Sequence, residues 1–210
     1  MTRLVIFDLD GTLVDAYEAI VKSLNFTRAA LGYAKVDVLH VKKAVGKGDR
    51  NFIEGFFKKR DRAAALRIYR AHHKKALVGH ARLMPYARQT LLRLKKHGLT
   101  LAVASNRPAF YSNILVRHLS LRRYFDVILC AKSTHELKPN PKILRMIVRR
   151  CRAKPSEAVY VGDMVIDVET ARNAHMRSVA ITTGSSSRRA LLAAKPSFLI
   201  SRLNQLPRLV

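Results

Sequence analysis

Short apolar runs alternate with helical patterns along most of this 210-residue chain, and no other feature limits its possible folds as strongly. The runs are Leu4–Phe7, Leu99–Ala104, Val127–Ala131, Ala158–Val161, Val179–Ile181 and a weaker one at Phe198–Ile200. Apolar residues spaced three or four positions apart predict helices over 86–97 and 141–152 between them. Continuous apolar strands that alternate with helices are typical of a parallel sheet covered on both faces. We therefore predict an α/β fold.

One region breaks this alternation, because residues 16–80 contain no strand pattern. Helical patterns run over three of its stretches: 16–31, about 38–44, and 61–77. A glycine-containing turn is predicted at 45–50. We predict that residues 15–80 form a small all-helical cap domain. It is inserted into a core made of residues 1–14 and 81–210.

The charge of the chain is strongly positive, with 40 Lys and Arg against 14 Asp and Glu and a formal net charge of +26. Such a field attracts anionic small molecules and polyanions, so weak non-specific nucleic-acid binding at low salt is expected. The basic residues are scattered over every predicted helix, and no zinc-finger or RNA-binding motif accompanies them. A solvated basic surface is therefore favoured over a dedicated nucleic-acid role.

The sequence also predicts a cytoplasmic protein with no membrane partner. No stretch approaches the roughly 20 apolar residues of a membrane span. The opening MTRLVIF is soon interrupted by Asp8, which leaves it too short for a secretory signal. The two cysteines, Cys130 and Cys151, lack metal-ligand spacing and are best explained as reduced core residues.

The scarce acidic residues are concentrated at two strand ends. Eight of them lie outside residues 15–80, and four of the eight are Asp8, Asp10, Asp163 and Asp167. Residues two apart on an extended segment point the same way, so Asp8 and Asp10 can face one volume beyond the first strand. Asp163 and Asp167, four residues apart, can share a face where a helix begins.

Two interpretations are open for each acidic pair. Aspartates form turns and cap helices, and capping accounts for one member of the Asp163–Asp167 pair more readily than for both. Alternatively, a hard cation such as Mg²⁺ relieves the repulsion between close carboxylates. For the first pair, the position between an apolar strand and Gly11-Thr12 favours the cation site.

Polar side chains follow two further strands. Ser105, Asn106 and Arg107 come after Leu101–Ala104, and Lys138 lies in the segment KPNP. A hydroxyl, backbone N–H groups and an ammonium can hold phosphate oxygens, although Ser-Asn before Pro is also ordinary turn chemistry. Taken together, the four strand ends supply a nucleophilic carboxylate, a second carboxyl for proton transfer, a cation site and phosphate ligands. They indicate phosphoryl transfer through an aspartyl-phosphate.

The order DLDGT, ASN, KPNP and GDMVID resembles the haloacid dehalogenase-like hydrolases. Within them, SNRP, YFDVILCAKS, KPNP and FLISRLNQLP look most like the phosphoglycolate phosphatases and their near relatives. The resemblance implies a Rossmann-like core with a helical cap inserted after the first motif. It also favours phosphate chemistry over dehalogenation, because members that cleave carbon–halogen bonds lack an acid at the position of Asp10.

The resemblance implies a role for each motif residue. Asp8 would be the nucleophile, and Asp10 would protonate the leaving oxygen and then activate water. Ser105 and Lys138 would hold the phosphoryl group. The residues implied for Mg²⁺ are Asp163, the carboxylate of Asp8, the main-chain carbonyl of Asp10, and Asp167 as a further ligand or a support. The residues implied for substrate or phosphate binding are Gly11, Thr12, Ser105, Asn106, Arg107, Lys138, Gly46, Lys47 and Arg50.

Three features qualify the resemblance. Arg107 stands where relatives often carry Lys, so the positive charge is kept. His175 stands where they usually have Gly, which predicts a cost in stability if the backbone there is left-handed. Lys47 and Arg50 flank Gly46, which matches the glycine of the cap's substrate loop. Both can reach a substrate carboxylate or a second phosphate, and both can equally belong to the basic surface.

The predicted function is a Mg²⁺-dependent phosphatase for a small phosphorylated metabolite, with 2-phosphoglycolate as the first choice. Two alternatives stay open. A phosphomutase of the β-phosphoglucomutase kind shares these motifs but returns the phosphoryl group instead of releasing it to water. A polyanion-binding or nucleic-acid-binding member of the same fold would instead use the basic surface.

Overall fold

The computed structural model describes the whole chain, residues 1–210. Its strands are β1 (Leu4–Phe7), β2 (Val14–Asp15), β3 (Arg82–Leu83), β4 (Thr100–Ser105), β5 (Val127–Cys130), β6 (Ala158–Gly162), β7 (Arg177–Ile181) and β8 (Phe198–Ile200). Six of them form one sheet in the order β5-β4-β1-β6-β7-β8, and all its neighbouring strands run parallel. The predicted α/β fold is confirmed, and each of the six apolar runs forms one of these strands.

Nine α-helices connect and cover the strands. They are α1 (Tyr17–Ala30), α2 (Val38–Ala44), α3 (Gly48–Glu54), α4 (Arg62–His80), α5 (Ala87–Lys96), α6 (Ala109–His118), α7 (Lys142–Arg150), α8 (Val165–Asn173) and α9 (Arg188–Ala193). Short 3-10 helices lie at Lys59–Asp61, Arg122–Tyr124, Thr134–Glu136, Pro155–Glu157 and Leu203–Arg208. None of the helices is both long enough and apolar enough to cross a bilayer.

The sheet is buried on both faces because successive strand residues point to opposite sides. In β1, Val5 and Phe7 pack into the larger hydrophobic core, to which α5 and α6 contribute. Leu4 and Ile6 pack on the other face, against apolar side chains of α7 and α8. A strand buried on both faces must be apolar throughout, which explains the continuous LVIF run.

The register of the sheet brings three strand ends together. Phe7, the last residue of β1, is paired with Val103 of β4 and with Val161 of β6. The residues that follow, Asp8 after β1 and Asp163 after β6, therefore leave the sheet at the same edge. This is the edge at which open parallel sheets bind ligands.

A two-stranded antiparallel ribbon marks where the helical segment leaves and rejoins the core. Val14 and Asp15 of β2 pair with Leu83 and Arg82 of β3. Helices α1 to α4 lie between these strands, and α1 packs along α4. Three of them, α1, α2 and α4, lie where the sequence predicted helices. The turn predicted at 45–50 was wrong in part, because α3 begins within it, at Gly48. Residues 15–80 are called the cap segment below.

Candidate active site

Three buried carboxylates lie together at the carboxyl edge of the sheet. Asp8 follows β1, Asp163 follows β6, and Asp167 lies in the first turn of α8. One carboxylate oxygen from each lies within 4.8 Å of the others. Their side chains are withdrawn from solvent, so their charges must be met by groups within the protein.

Lys138 places its ammonium between two of these carboxylates. Its Nζ lies 2.9 Å from Oδ1 of Asp8 and 2.7 Å from Oδ1 of Asp167. Nζ also donates a hydrogen bond of 3.0 Å to the hydroxyl of Tyr160. Burial opposes the charge, but the carboxylates of Asp167 and Asp8 raise the pKa of Lys138 well above its ordinary value. Lys138 is therefore an ammonium beside the nucleophile candidate.

Asp167 has both carboxylate oxygens engaged within the protein. Oδ1 accepts from Lys138 and, at 3.0 Å, from the hydroxyl of Tyr160. Oδ2 accepts from the backbone N–H of Met164 at 3.0 Å. These bonds favour a supporting role for Asp167, in which it orients Lys138. Tyr160 was not predicted as a site residue; its signal was a lone polar hydroxyl in the apolar strand AVYVG.

The carboxylate of Asp163 is enclosed by a side-chain hydroxyl and by nearby backbone. Oδ1 accepts from the hydroxyl of Thr12 at 3.1 Å, and Oδ2 accepts from the backbone N–H of Ser185 at 2.8 Å. A Cβ atom on Gly11 or on Gly184 would collide with this carboxylate, and Gly11 also has a left-handed φ of 78°. The loop that begins at Gly184 therefore belongs to the site.

The carboxylate set fits a hard divalent cation. Burial, together with the charges of Asp167 and Asp8, raises the pKa of Asp163 well above its ordinary value. Burial also raises the pKa of Asp8 to about 7, against the opposing charge of Lys138. One ammonium does not neutralise three carboxylates, and donors that are all oxygen atoms are those that Mg²⁺ takes. Asp8 has one carboxylate oxygen without a hydrogen bond, and each oxygen of Asp163 accepts only one, so both residues can still offer oxygens to such an ion.

Asn106 connects the core to the cap segment. Its Oδ1 accepts from the backbone N–H of Lys138 at 2.8 Å, and its Nδ2 donates to the carbonyl of Gly46 at 2.7 Å. Ser105 is buried next to it, and its hydroxyl accepts from the backbone N–H of Arg107 at 3.2 Å. The residues after β4 thus bring the Gly46 turn to the sheet edge.

Asp10 is held by the side chain of Arg107. Nε of Arg107 donates to Oδ2 of Asp10 and Nη2 donates to Oδ1, both at 2.7 Å. Nη1 lies 2.8 Å from Nε2 of His73, a residue of α4 in the cap segment. The sequence predicted Asp10 and Arg107 as site residues but gave no indication of His73.

These groups surround a cavity of about 60 Å³ between the sheet edge and the cap segment. Its lining residues are Asp8, Asp10, Ile20, Val45, Gly46, Gly48, Asp49, Phe52, Tyr69, His73, Ser105, Asn106, Arg107, Pro108, Tyr111, Lys138 and Met164. A buried water needs roughly 10–15 Å³ on this measure, so the space admits several waters or a small molecule.

Only two cations line this cavity, Arg107 and Lys138, although the chain has 40 Lys and Arg residues. Of the predicted substrate residues of the cap segment, Gly46 lines the cavity, whereas Lys47 and Arg50 do not. Lys47 lies at the edge of a separate exposed hollow on the cap segment. Of the predicted core residues, six line the cavity: Asp8, Asp10, Ser105, Asn106, Arg107 and Lys138. Gly11, Thr12, Asp163 and Asp167 do not line it, and neither do the two cap cations.

The arrangement can carry out nucleophilic displacement at a phosphate. Asp8 faces the cavity beside an ammonium, and Asp10 faces it from two residues further along the chain. A carboxylate nucleophile with a second carboxyl for proton transfer and a cation to hold anionic oxygens is the minimum set for such a step.

Known proteins resemble this chain over nearly its whole length. The haloacid dehalogenase-like hydrolase family matches residues 5–181. The phosphoglycolate phosphatase of Agrobacterium fabrum is 34% identical over 191 residues, covering 88% of this chain and 82% of that protein. That of Aquifex aeolicus is 30% identical over 208 residues, covering 99% and 96%. CbbY from Rhodobacter sphaeroides, solved in complex with phosphate, superposes with a TM-score of 0.83 at 25% identity, covering 98% and 96%.

Proposed function

This chain belongs to the haloacid dehalogenase-like hydrolase family and is a phosphoric monoester hydrolase. From that premise we propose that it hydrolyses a small organic phosphate through an aspartyl-phosphate on Asp8. The observation that carries the proposal is the position of Asp8. Its buried carboxylate lies at the end of the central strand, 2.9 Å from the ammonium of Lys138, and lines the cavity together with Asp10.

The proposed first step transfers the phosphoryl group to the protein. A carboxylate oxygen of Asp8 attacks phosphorus while the bond from phosphorus to the ester oxygen breaks. Asp10 is a carboxylate paired with Arg107 in the free protein, so in this proposal it takes up a proton from solvent when the ester binds. It gives that proton to the departing oxygen, which leaves as an alcohol. Lys138 and the hydroxyl of Ser105 hold the phosphoryl oxygens, where negative charge is spread in the transition state.

The second step returns the protein to its starting state. Asp10, now a carboxylate, takes a proton from a water molecule that attacks phosphorus. The bond between phosphorus and the Asp8 oxygen breaks, and inorganic phosphate leaves. Asp10 thereby regains the proton that it gave up and returns it to solvent, and the protons balance over the cycle.

We propose that Mg²⁺ is held by the carboxylates of Asp8 and Asp163, with the main-chain carbonyl of Asp10 as a further ligand. When bound, the ion supplies positive charge to the phosphoryl oxygens and relieves the repulsion among the carboxylates. Asp167 keeps Lys138 in place, since its Oδ1 accepts from that ammonium and from the hydroxyl of Tyr160.

For the substrate we propose 2-phosphoglycolate, the compound named in the two bacterial relatives. Its carboxylate needs a cation other than the one that holds the phosphate. Arg107 is the only such cation in the cavity. Its bonds to Asp10 and His73 use three of its five N–H donors, which leaves two for a substrate carboxylate. Lys47 and Arg50, which lie outside the cavity, are not needed for this role.

We place the catalytic core at residues 1–14 and 81–210, the cap at residues 15–80, and the protein in the cytoplasm. Both of its cysteines are free thiols, which agrees with a reducing compartment. The tight cavity under the cap segment supports a small metabolite as the partner of this site.

Phosphate release tests the proposal. Purified wild-type protein is incubated with 2-phosphoglycolate and with a panel of other phosphate esters, in Mg²⁺ or in EDTA. The Asp8→Asn variant is assayed in parallel under the same conditions. The matched control is Asp126→Asn, which removes a half-exposed carboxylate directly before β5 that does not line the cavity. We expect Mg²⁺-dependent release that Asp8→Asn abolishes and Asp126→Asn keeps. Undiminished release by Asp8→Asn would refute the mechanism, and isomerised ester without free phosphate would show a mutase.

A further inference from the structure

We propose that His73, on helix α4 of the cap segment, is a positioning residue that orients the carboxylate of Asp10 through Arg107. This inference rests on the proposed function, because it takes Asp10 as the group that moves protons. It assigns to the cap segment a part in the chemistry besides covering the cavity.

The contacts form an unbroken chain from the cap segment to the sheet edge. Nε2 of His73 lies 2.8 Å from Nη1 of Arg107, whose Nε and Nη2 bond the two oxygens of Asp10. All three side chains line the cavity. No other side chain of the cap segment hydrogen-bonds to Arg107, so His73 alone fixes the far end of the guanidinium.

The hydrogen bonds on the other side of the imidazole select its tautomer. Nδ1 of His73 lies 3.0 Å from the hydroxyl of Ser23, and that hydroxyl donates to the carbonyl of Ala19 at 2.8 Å. Since the Ser23 proton is used in this way, Ser23 accepts from Nδ1–H of His73. Nε2 is then the bare nitrogen, which can accept from Arg107.

Packing holds the ring in this orientation. His73 is 1% exposed. Its ring stacks on Tyr69 with centroids 4.8 Å apart and meets Tyr111 edge-on at 5.1 Å. Burial and the neighbouring Arg107 lower the pKa of His73 to about 2, so the ring is neutral and stays an acceptor.

This geometry matters because a planar guanidinium sets the plane of the carboxylate that it binds. Two bonds to Asp10 fix the pair relative to each other, but the pair can still turn about the Arg107 side chain. A third bond from the cap segment removes that freedom. Asp10 is therefore oriented toward the leaving oxygen only while α4 lies over the sheet edge.

The experiment compares two esters that differ in their need for an acid. The alcohol of 2-phosphoglycolate leaves only with a proton, whereas the nitrophenolate of 4-nitrophenyl phosphate leaves without one. His73→Leu removes the acceptor, and His73→Gln restores an oxygen at a similar reach. His72→Leu is the matched control, since His72 contacts the same Ser23 hydroxyl but not Arg107. If His73→Leu does not fold, His73→Asn, which has a shorter reach, replaces it.

For His73→Leu we expect kcat on 2-phosphoglycolate to fall by about tenfold to a hundredfold, because a misplaced catalytic group costs that much. KM for 4-nitrophenyl phosphate, which has no carboxylate for Arg107 to bind, should hardly change, and kcat on this ester should fall much less. His73→Gln and His72→Leu should behave like the wild type.

Equal losses on both esters, or equal losses in His73→Leu and His73→Gln, would overturn the inference and leave the proposed function intact. A wild type that releases phosphate from neither ester would refute the proposed function and the inference with it.

Discussion

Arg107 binds Asp10 through two parallel hydrogen bonds of 2.7 Å, and both side chains are largely buried at the carboxyl edge of the sheet. Two bonds in one plane fix the direction of the carboxylate as well as its distance. A charged pair in such a place contributes little by its presence but costs much when one partner is removed, because the other charge is left buried without compensation.

The first prediction follows from this asymmetry. Arg107→Met should lower the free energy of unfolding by roughly 3–5 kcal/mol, because Asp10 then has no cation in reach. Arg107→Lys should cost less than half of that, since it keeps the charge and loses only the paired geometry. Urea denaturation of the purified variants measures both values.

Arg117→Met is the control for this comparison, because Arg117 is an exposed residue of α6 and its loss should stay within about 0.5 kcal/mol. Equal costs for Arg107→Met and Arg107→Lys would contradict the prediction, since the charge would then contribute nothing.

The second prediction concerns the cation. Mg²⁺ should stabilise the folded protein by about 2.7 kcal/mol at a concentration 100-fold above its dissociation constant, because the unfolded chain has no assembled site. Asp163→Asn should lose this gain, since it removes one of the two carboxylates proposed to hold the ion. Thermal unfolding in Mg²⁺ and in EDTA gives the difference.

Asp126→Asn, which changes an equally charged residue outside the site, should keep the full Mg²⁺ effect. A shift in Asp163→Asn as large as in the wild type would remove Asp163 from the metal site and would call for a search among the other carboxylates.

The strand ends of the site could be predicted from the sequence, whereas its contacts with the cap segment could not. Asp8 and Asp163 each follow a continuous apolar run, and parallel strands bring such ends to one edge. His73 lies on a helix that the periodicity predicted, but a histidine among apolar residues indicates only a buried position. Its partner Arg107 is 34 residues away in the chain, and nothing local specifies that they meet.

Lys47 and Arg50 show the opposite case. Sequence placed them beside Gly46, which lines the cavity, yet the backbone turns into α3 at Gly48 and neither side chain lines it. Adjacency along the chain did not determine the direction of these long side chains. Tyr160 was overlooked for a third reason, because tyrosine is common in strands and its hydroxyl carries no motif.

The third prediction concerns His175, where the backbone is left-handed with φ 58°. Side chains with a Cβ atom cost about 1 kcal/mol or more in this conformation, and glycine avoids the cost. The ring of His175 is exposed and its hydrogen-bonding atoms have no partner, so little is lost with it. His175→Gly should therefore raise the free energy of unfolding by about 1 kcal/mol.

His97→Gly is the matched control, because His97 ends α5 with an ordinary φ of −82°. There glycine should give no gain and should cost stability through its greater freedom in the unfolded chain. Urea denaturation of both variants measures whether the free energy of unfolding rises or falls. A rise in His97→Gly as large as in His175→Gly would contradict the backbone explanation.

The last prediction is a pH dependence that originates at His73. Burial, with Arg107 and His72 close by, lowers the pKa of His73 from 6.5 to about 2. Below pH 6.5 the unfolded chain therefore binds a proton at this residue that the folded protein does not bind. Stability from this source is complete above pH 6.5 and is lost as the pH falls toward 2, by up to about 1.4 kcal/mol for each pH unit.

The measurement is the free energy of unfolding of the wild type minus that of His73→Gln, determined between pH 7 and pH 5. Contributions from His72, Asp8 and Asp163 are present in both proteins and cancel in the difference. We expect this difference to fall by roughly 2 kcal/mol over the interval. The exposed His135, changed to Gln, controls for the loss of an imidazole at the surface. A flat difference for His73→Gln would mean that the folded protein accepts the proton, and then His73 could not serve as the acceptor for Arg107.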